Sequence, residues 1–259
     1  MPLETVSHEG RTTAYRYGHT GGDGSPVVFV HGSGSSHAVW KSQFRLANER
    51  PVAAIDLSGH GESDDVEAEA GWETLSAHAS DVIAVATEVG ARALVGTSLG
   101  GAVILHAVLD RGFEPAALGL VGCGAKLTVS DDLLAWLDDD FDRAVSVLHD
   151  ANRFFHDPDE ALIEQSRAAM VDCGRRVTRR DFLTCHAFDV RAELEGLEVP
   201  TIAIVGEYDQ LTPVWYHKFL VERLPDAELA VIEDAAHLVM LERPDRFNAV
   251  LTDFLDRVA

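Results

Sequence analysis

A chain of 259 residues with 46% hydrophobic and 25% charged residues has the composition of a soluble globule with a sizeable core, which excludes a disordered or collagen-like chain and fits one large α/β domain or two small ones. Its 43 acids against 21 bases leave a net charge of −22, a field that repels nucleic-acid phosphates and argues against such a partner. No run approaches the ~18 apolar residues of a spanning helix, and Met1-Pro2-Leu3-Glu4-Thr5 lacks a basic region leading into an apolar stretch, so neither a membrane nor a secretory signal is expected and the cytoplasm is the default location.

Short apolar runs alternate with amphipathic stretches along most of the chain, the pattern of a mostly parallel sheet with crossover helices on both faces. In chain order, a strand is expected at 12–17 within an early hairpin, followed by the glycine-rich loop 18–26. Strand 27–31, helix 37–48, strand 52–57, helix 74–89, strand 93–97, helix 99–110 and strand 117–122 come next. Between 123 and 190 the alternation stops and the pattern is helical throughout. Ser130 opens one helix, Asp157-Pro158 another, Gly174 closes that one and Thr178 opens the next. With no flexible linker at either end, this segment is expected as a helical cap, or lid, inserted after the sixth strand into a core of residues 1–122 and 191–259. The sheet resumes with strand 201–206, helix 213–223, strand 229–232 and helix 244–257.

Gly96-Thr97-Ser98-Leu99-Gly100-Gly101 follows the apolar run Ala93-Leu94-Val95 and precedes the helix-like Ala102-Val103-Ile104-Leu105-His106. In that setting G-x-S-x-G places Ser98 on a strained turn with its hydroxyl exposed, and the glycines avoid collisions of strand with helix. Alone, the hexapeptide also fits a tight strand-to-helix turn or an anion-binding loop. A second small-residue loop, His31-Gly32-Ser33-Gly34, ends strand 27–31 and suits a backbone donor. The amides of Ser33 and Leu99 are the expected oxyanion-hole donors, each worth about 3–4 kcal/mol to a tetrahedral intermediate. His31 is expected to shape its loop rather than to react.

A serine hydroxyl needs a base, and the base needs a carboxylate to orient it. Among 12 histidines, His237 follows the run 229–232 on a loop before the final helix, and Asp209 follows strand 201–206 in the same manner. The order Ser98, Asp209, His237 separates the chain from the chymotrypsin and subtilisin orders.

These motifs resemble those of the serine α/β-hydrolase superfamily, in its small esterase and enol-lactonase-like branch. The likeness covers nearly the whole chain: His31-Gly32-Ser33-Gly34, Asp56-Leu57-Ser58-Gly59-His60-Gly61-Glu62-Ser63, the turn around Ser98, Gly206-Glu207-Tyr208-Asp209, and His237 followed by Leu241-Glu242-Arg243-Pro244. It implies the α/β-hydrolase fold with a helical cap, and leaves His60 in a structural turn. Ser98 stands where epoxide hydrolases and dehalogenases carry an aspartate. Thr97 and Leu238 depart from the Asn and Trp frequent in carbon-carbon bond hydrolases, and Lys126, the sole lysine of the segment 123–190, is a weak match to the cap lysine of hydroxynitrile lyases. Some relatives are non-catalytic small-ligand receptors, a class that loss of a triad member would favour; none is lost.

The expected reaction is hydrolysis of a small-molecule ester, or of a lactone or carbon-carbon bond on the same triad, by a monomer or homodimer. No H-E-x-x-H is present and Gly21-Gly22-Asp23-Gly24 lacks the setting and lysine of a phosphate loop, so no metal or cofactor is called for. Cys123, Cys173 and Cys185, odd in number and without a C-x-x-C pair, read as reduced. Apolar residues at helical spacing in the cap, Leu133 and Phe154 among them, are expected mostly as packing, and Arg175, Arg176, Arg179 and Arg180 as partners of the cap's acids. The acidic balance suits a saline setting, where salt shrinks the range of repulsion to ~3 Å at 1 M; an acidic protein of ordinary habitat is the alternative.

Overall fold

The runs at β3 (Val27–Val30), β4 (Val52–Ile55), β5 (Ala93–Thr97), β6 (Ala117–Val121) and β7 (Thr201–Gly206) are buried at every residue, as strands covered on both faces must be. In the computed structural model, which describes residues 2–258, they form the middle of one eight-stranded sheet with β1 (Leu3–His8), β2 (Arg11–Gly18) and β8 (Ala227–Ile232). The order is β1-β2-β4-β3-β5-β6-β7-β8. β1 and β2 run antiparallel to their neighbours, and β3 to β8 are parallel.

One face of the sheet packs against α1 (Trp72–Val89) and α2 (Leu99–Leu109), where Leu75, Val82, Val103 and Ile104 meet Val28, Leu94 and Leu118. The other packs against α9 (Pro244–Val258), whose Phe247 and Leu251 meet Phe29, Trp40 and Val95. Between β6 and β7 the chain forms α3 (Asp131–Asp139), α4 (Phe141–Leu148), α5 (Glu160–Cys173) and α6 (Arg175–Ala187); α7 (Val214–Arg223) and α8 (Val239–Glu242) complete the set. No described helix is long and apolar enough to cross a membrane.

Several local expectations shift. β1 is an edge strand of alternating exposed and half-buried residues, so its apolar signal is faint; it is joined to β2 by Glu9 and Gly10, both at positive φ, the geometry of a two-residue hairpin. The expected helix 37–48 is two 3₁₀ turns, His37–Trp40 and Gln43–Asn48, because buried Trp40 and Gln43 follow the sheet and α9 rather than one helical face. Within the insertion Ser130 caps α3 as expected, with its hydroxyl accepting from Leu133 N–H, and Gly174 ends α5. Asp159, not Asp157, caps α5, and α6 begins at Arg175, leaving Thr178 buried inside it. Lys126 and Asp189 form an antiparallel bridge where the insertion leaves and rejoins the sheet.

Candidate functional site

Four loops at the carboxyl ends of parallel strands meet in one place, where open α/β sheets bind ligands. Ser98 lies between β5 and α2 at φ 54°, ψ −118°, a strained conformation for a side-chain-bearing residue. A Cβ on Gly96 would run into Gly100 O, and one on Gly100 into Val30 O, which is the steric reason for both glycines of the motif. β3 pairs with β5 so that Val30 faces Gly96. The loop of Gly32 and Ser33 therefore leaves the sheet beside Ser98, and a Cβ on Gly32 would lie 3.1 Å from Ser98 Cβ. Leu99 is the first residue of α2; its N–H has no acceptor inside the helix, and the positive end of the helix dipole points the same way.

β7 and β8 are also neighbours, with Gly206 opposite Ile232, and their loops carry Asp209 and His237. His237 Nδ1–H donates to Asp209 Oδ2 at 2.9 Å. Both groups are buried, at 4% exposure for Asp209 and 2% for His237. Asp209 also accepts the N–H groups of Leu211 (2.8 Å) and Thr212 (2.9 Å) on Oδ1 and the Thr212 hydroxyl (2.8 Å) on Oδ2. Burial by itself would raise its carboxyl, but the charge and hydrogen bond of His237 and the Thr212 donors outweigh burial and hold it below the usual carboxylate range. With Nδ1 so engaged, Nε2 is the free nitrogen of the ring, the arrangement that lets an imidazole take a proton from a hydroxyl. Asp234, three residues before His237, is exposed and sits at φ 54°.

Ser98, His237 and Ser33 line a single cavity of about 400 Å³. Its walls are largely apolar, from Val39, Leu127, Leu133, Phe154, Met170 and Phe182. Lys41 and Arg153 also line it, with no Asp or Glu among the described residues of the lining.

The inserted helices reach the site through the segment after α4. Asn152 O accepts from Gln210 N–H (2.9 Å), Arg153 O from His237 N–H (3.2 Å) and Phe154 O from Leu238 N–H (2.9 Å), while the Phe154 ring stacks on that of His237 at 5.9 Å. His31 is fully buried: its Nδ1–H donates to Gly32 O at 2.8 Å and its Nε2 accepts Leu57 N–H at 3.0 Å, so it shapes the loop as expected. Lys126 pairs with Asp189 (3.4 Å) and is not part of the lining. The arginine cluster divides: Arg179 pairs with Asp138 of α3, whereas Arg176 and Arg180 pair with Asp65, on the core side.

The five residues singled out from sequence are thus brought together. Thr212, Glu242, Arg153 and Asp181 were not singled out as site residues; only Glu242 stands in one of the sequence motifs, and the others carry no local pattern.

The sequence profile of the alpha/beta hydrolase family matches residues 27–250. A solved thermophilic esterase is 32% identical, with a TM-score of 0.87 over 100% of this chain and 99% of that one. A solved N-acyl homoserine lactone degrading enzyme is 25% identical, with a TM-score of 0.83 over 97% of this chain and 100% of that one. The pimeloyl-[acyl-carrier protein] methyl ester esterase of Neisseria meningitidis serogroup A is 27% identical over 252 residues, 90% of this chain and 77% of the relative.

Proposed function

The chain is a hydrolase of the alpha/beta hydrolase family, and we propose that it cleaves carboxylic esters without a cofactor, through an acyl-enzyme on Ser98. Ser98 Oγ attacks the acyl carbon while His237 Nε2 takes its proton; the same nitrogen then protonates the departing alcohol. Water, deprotonated by His237, opens the acyl-enzyme and releases the acid. Asp209 holds the ring with Nε2 toward Ser98 and stabilises the imidazolium formed in each attack. The amides of Leu99 and Ser33 receive the oxyanion. Helices α3 to α6, residues 123–190, serve as a cap over the acyl pocket.

The observation that carries this reading is His237: buried, bound to Asp209 through Nδ1 at 2.9 Å, and facing the cavity that Ser98 lines. The apolar walls suit an acyl chain. Lys41 and Arg153, in a lining with no Asp or Glu among its described residues on a chain of net charge −22, favour an acyl group that ends in an anion. Lactone opening is the second reading, favoured by the likeness to the lactone-degrading enzyme; it is the same chemistry with the leaving alcohol tethered to the acyl group.

Activated esters of two to sixteen acyl carbons, and lactones beside them, test the reaction. Fluorophosphonate labelling followed by mass spectrometry tests the nucleophile. The adduct is expected on the peptide containing Ser98, and Ser98→Ala is expected to lose roughly 10⁴-fold or more of the activity. A labelled peptide without Ser98 would sink the assignment. Tight binding of a small ligand by a wild type that turns over neither esters nor lactones would make the protein a receptor.

A further inference from the structure

The loop of Ser33 is held from above by one face of α6. Gly34, at φ 63°, donates its N–H to Asp181 Oδ2 at 3.2 Å. One helical turn later, Cys185 Sγ lies 3.7 Å from Ser33 Oγ. Residues four apart share a helix face, so α6 touches both consecutive residues of the loop. Met170 of α5 and Thr178 of α6 close in around Gly34, where a Cβ would come within 3.1 Å of each.

Asp181 is itself fixed by charge. It is fully buried, and His60 Nε2–H donates to its Oδ2 at 2.8 Å while His60 Nδ1–H donates to Ser58 O at 3.3 Å. A ring that donates from both nitrogens is an imidazolium. Burial alone would lower the His60 pKa, but the Asp181 carboxylate outweighs it and raises it well above the ordinary value. Behind the pair, His78 stands between Asp181 Oδ1 (3.7 Å) and Asp81 Oδ2 (3.6 Å), and Arg11 pairs with Asp81 at 2.8 Å. A line of buried polar side chains thus runs from β2 through α1 to the helix above the loop. Buried ion pairs are weak devices for stability, and their better-attested use is to select one geometry.

We infer that Asp181, held by His60, is a positioning residue for the oxyanion hole: it anchors Gly34 to α6 and so sets where the neighbouring Ser33 amide points. The inference rests on the ester reading. Helix α6 belongs to the insertion, so the donor is in place only while the insertion is docked on the core.

The test compares Asp181→Ala, which removes the acceptor, with Asp181→Asn, which keeps an acceptor oxygen. Rates for p-nitrophenyl butanoate are normalised to active sites titrated with a fluorophosphonate, and inhibition constants are measured for phenylboronic acid, which forms a tetrahedral adduct on serine, and for butanoate, which does not. Asp181→Ala is expected to lower kcat per site at least about 10-fold, short of the ~10² to 10³ seen when a donor is deleted, with KM within about twofold. Its boronic-acid constant is expected to rise by the factor that kcat/KM loses, while that of butanoate stays put, and Asp181→Asn should recover most of the loss. Where Asp181→Ala does not fold, Asp181→Ala/His60→Gln, which leaves no buried charge unpaired, takes its place. Normal kcat per site and normal boronic-acid binding, whatever the melting temperature, would overturn the inference, as would a rise in KM alone. A wild type inert toward every ester overturns the ester reading itself, a result distinct from an active wild type with active variants.

Discussion

Glu242 Oε2 accepts the backbone N–H of Ala236 at 2.7 Å, one residue before His237, while its Oε1 accepts those of His156 (2.8 Å) and Asp157 (3.2 Å). One carboxylate therefore ties the histidine loop to the segment that carries Arg153 and Phe154. Glu242→Ala strips three donors of their acceptor and is expected to destabilise the protein by about 2 kcal/mol. For a chain of this size that is a fall in melting temperature of about 4–8 °C, with a severalfold loss of kcat as the loop loosens. An unchanged melting temperature by calorimetry would show that water replaces the carboxylate.

Asp209 and Asp234 stand on opposite sides of a clear distinction. Asp209 comes from the adjacent strand end and bonds to the ring of His237, whereas Asp234 is exposed. Asp209→Asn is expected to lower kcat by ~10³ to 10⁴-fold, as the same change does in a serine-protease triad by favouring the wrong tautomer of the histidine, and Asp234→Asn by less than about tenfold. The reverse ranking, with both variants folded by circular dichroism, would move the orienting role to Asp234.

Acid should weaken the fold through its buried histidines before it reaches Asp181 and Asp209. Burial pushes the His217 pKa down to about 4, in keeping with Nε2 accepting Cys123 N–H at 3.0 Å, and burial and the charge of His60 push His31 down as well. The unfolded histidines bind protons near pH ~6.5, so stability falls as pH drops below ~6.5 and, for His217, levels off below about 4. His217 alone accounts for roughly 3 kcal/mol of this loss. Asp209 and Asp181, held low in the fold, add their loss only below about pH 4. His60 has the opposite sign: its contribution is complete below ~6.5 and disappears as pH rises through its raised folded value. Urea melts at pH ~7 and ~4.5 should show the drop, reduced in His217→Gln; equal drops in both proteins would remove His217 from the account.

Arg153 lines the cavity, and its carbonyl already serves His237. If its guanidinium receives an anionic acyl terminus, the ratio of kcat/KM for a monoester of a dicarboxylic acid over its neutral amide analogue should fall about 10- to 150-fold in Arg153→Gln, in line with a charge-assisted hydrogen bond. Arg153→Lys should restore part of the ratio. A ratio that ignores both substitutions would leave Lys41, on the same lining, as the cation to test.

What was legible in the sequence was whatever depends on neighbours along the chain. Strands β3 to β7 announced themselves because burial on both faces demands unbroken apolar runs, and Ser98 did so because its turn demands glycine at 96 and 100. Asp209 and His237 were legible because each follows a strand in a fixed order. Where the chemistry of one residue is set by another far along the chain, no such pattern exists. Edge strand β1, half exposed throughout, left little apolar signal, and 37–48 read as one helix because packing of Trp40 and Gln43 against distant residues, not local propensity, broke it into two turns. Asp181 looked like one acid among 43; only tertiary structure placed it in the core against His60 and Gly34. The division has a physical cause: steric and periodic constraints act over a few residues and are written locally, whereas the partner of a buried charge is chosen by which segments the fold brings within hydrogen-bonding distance.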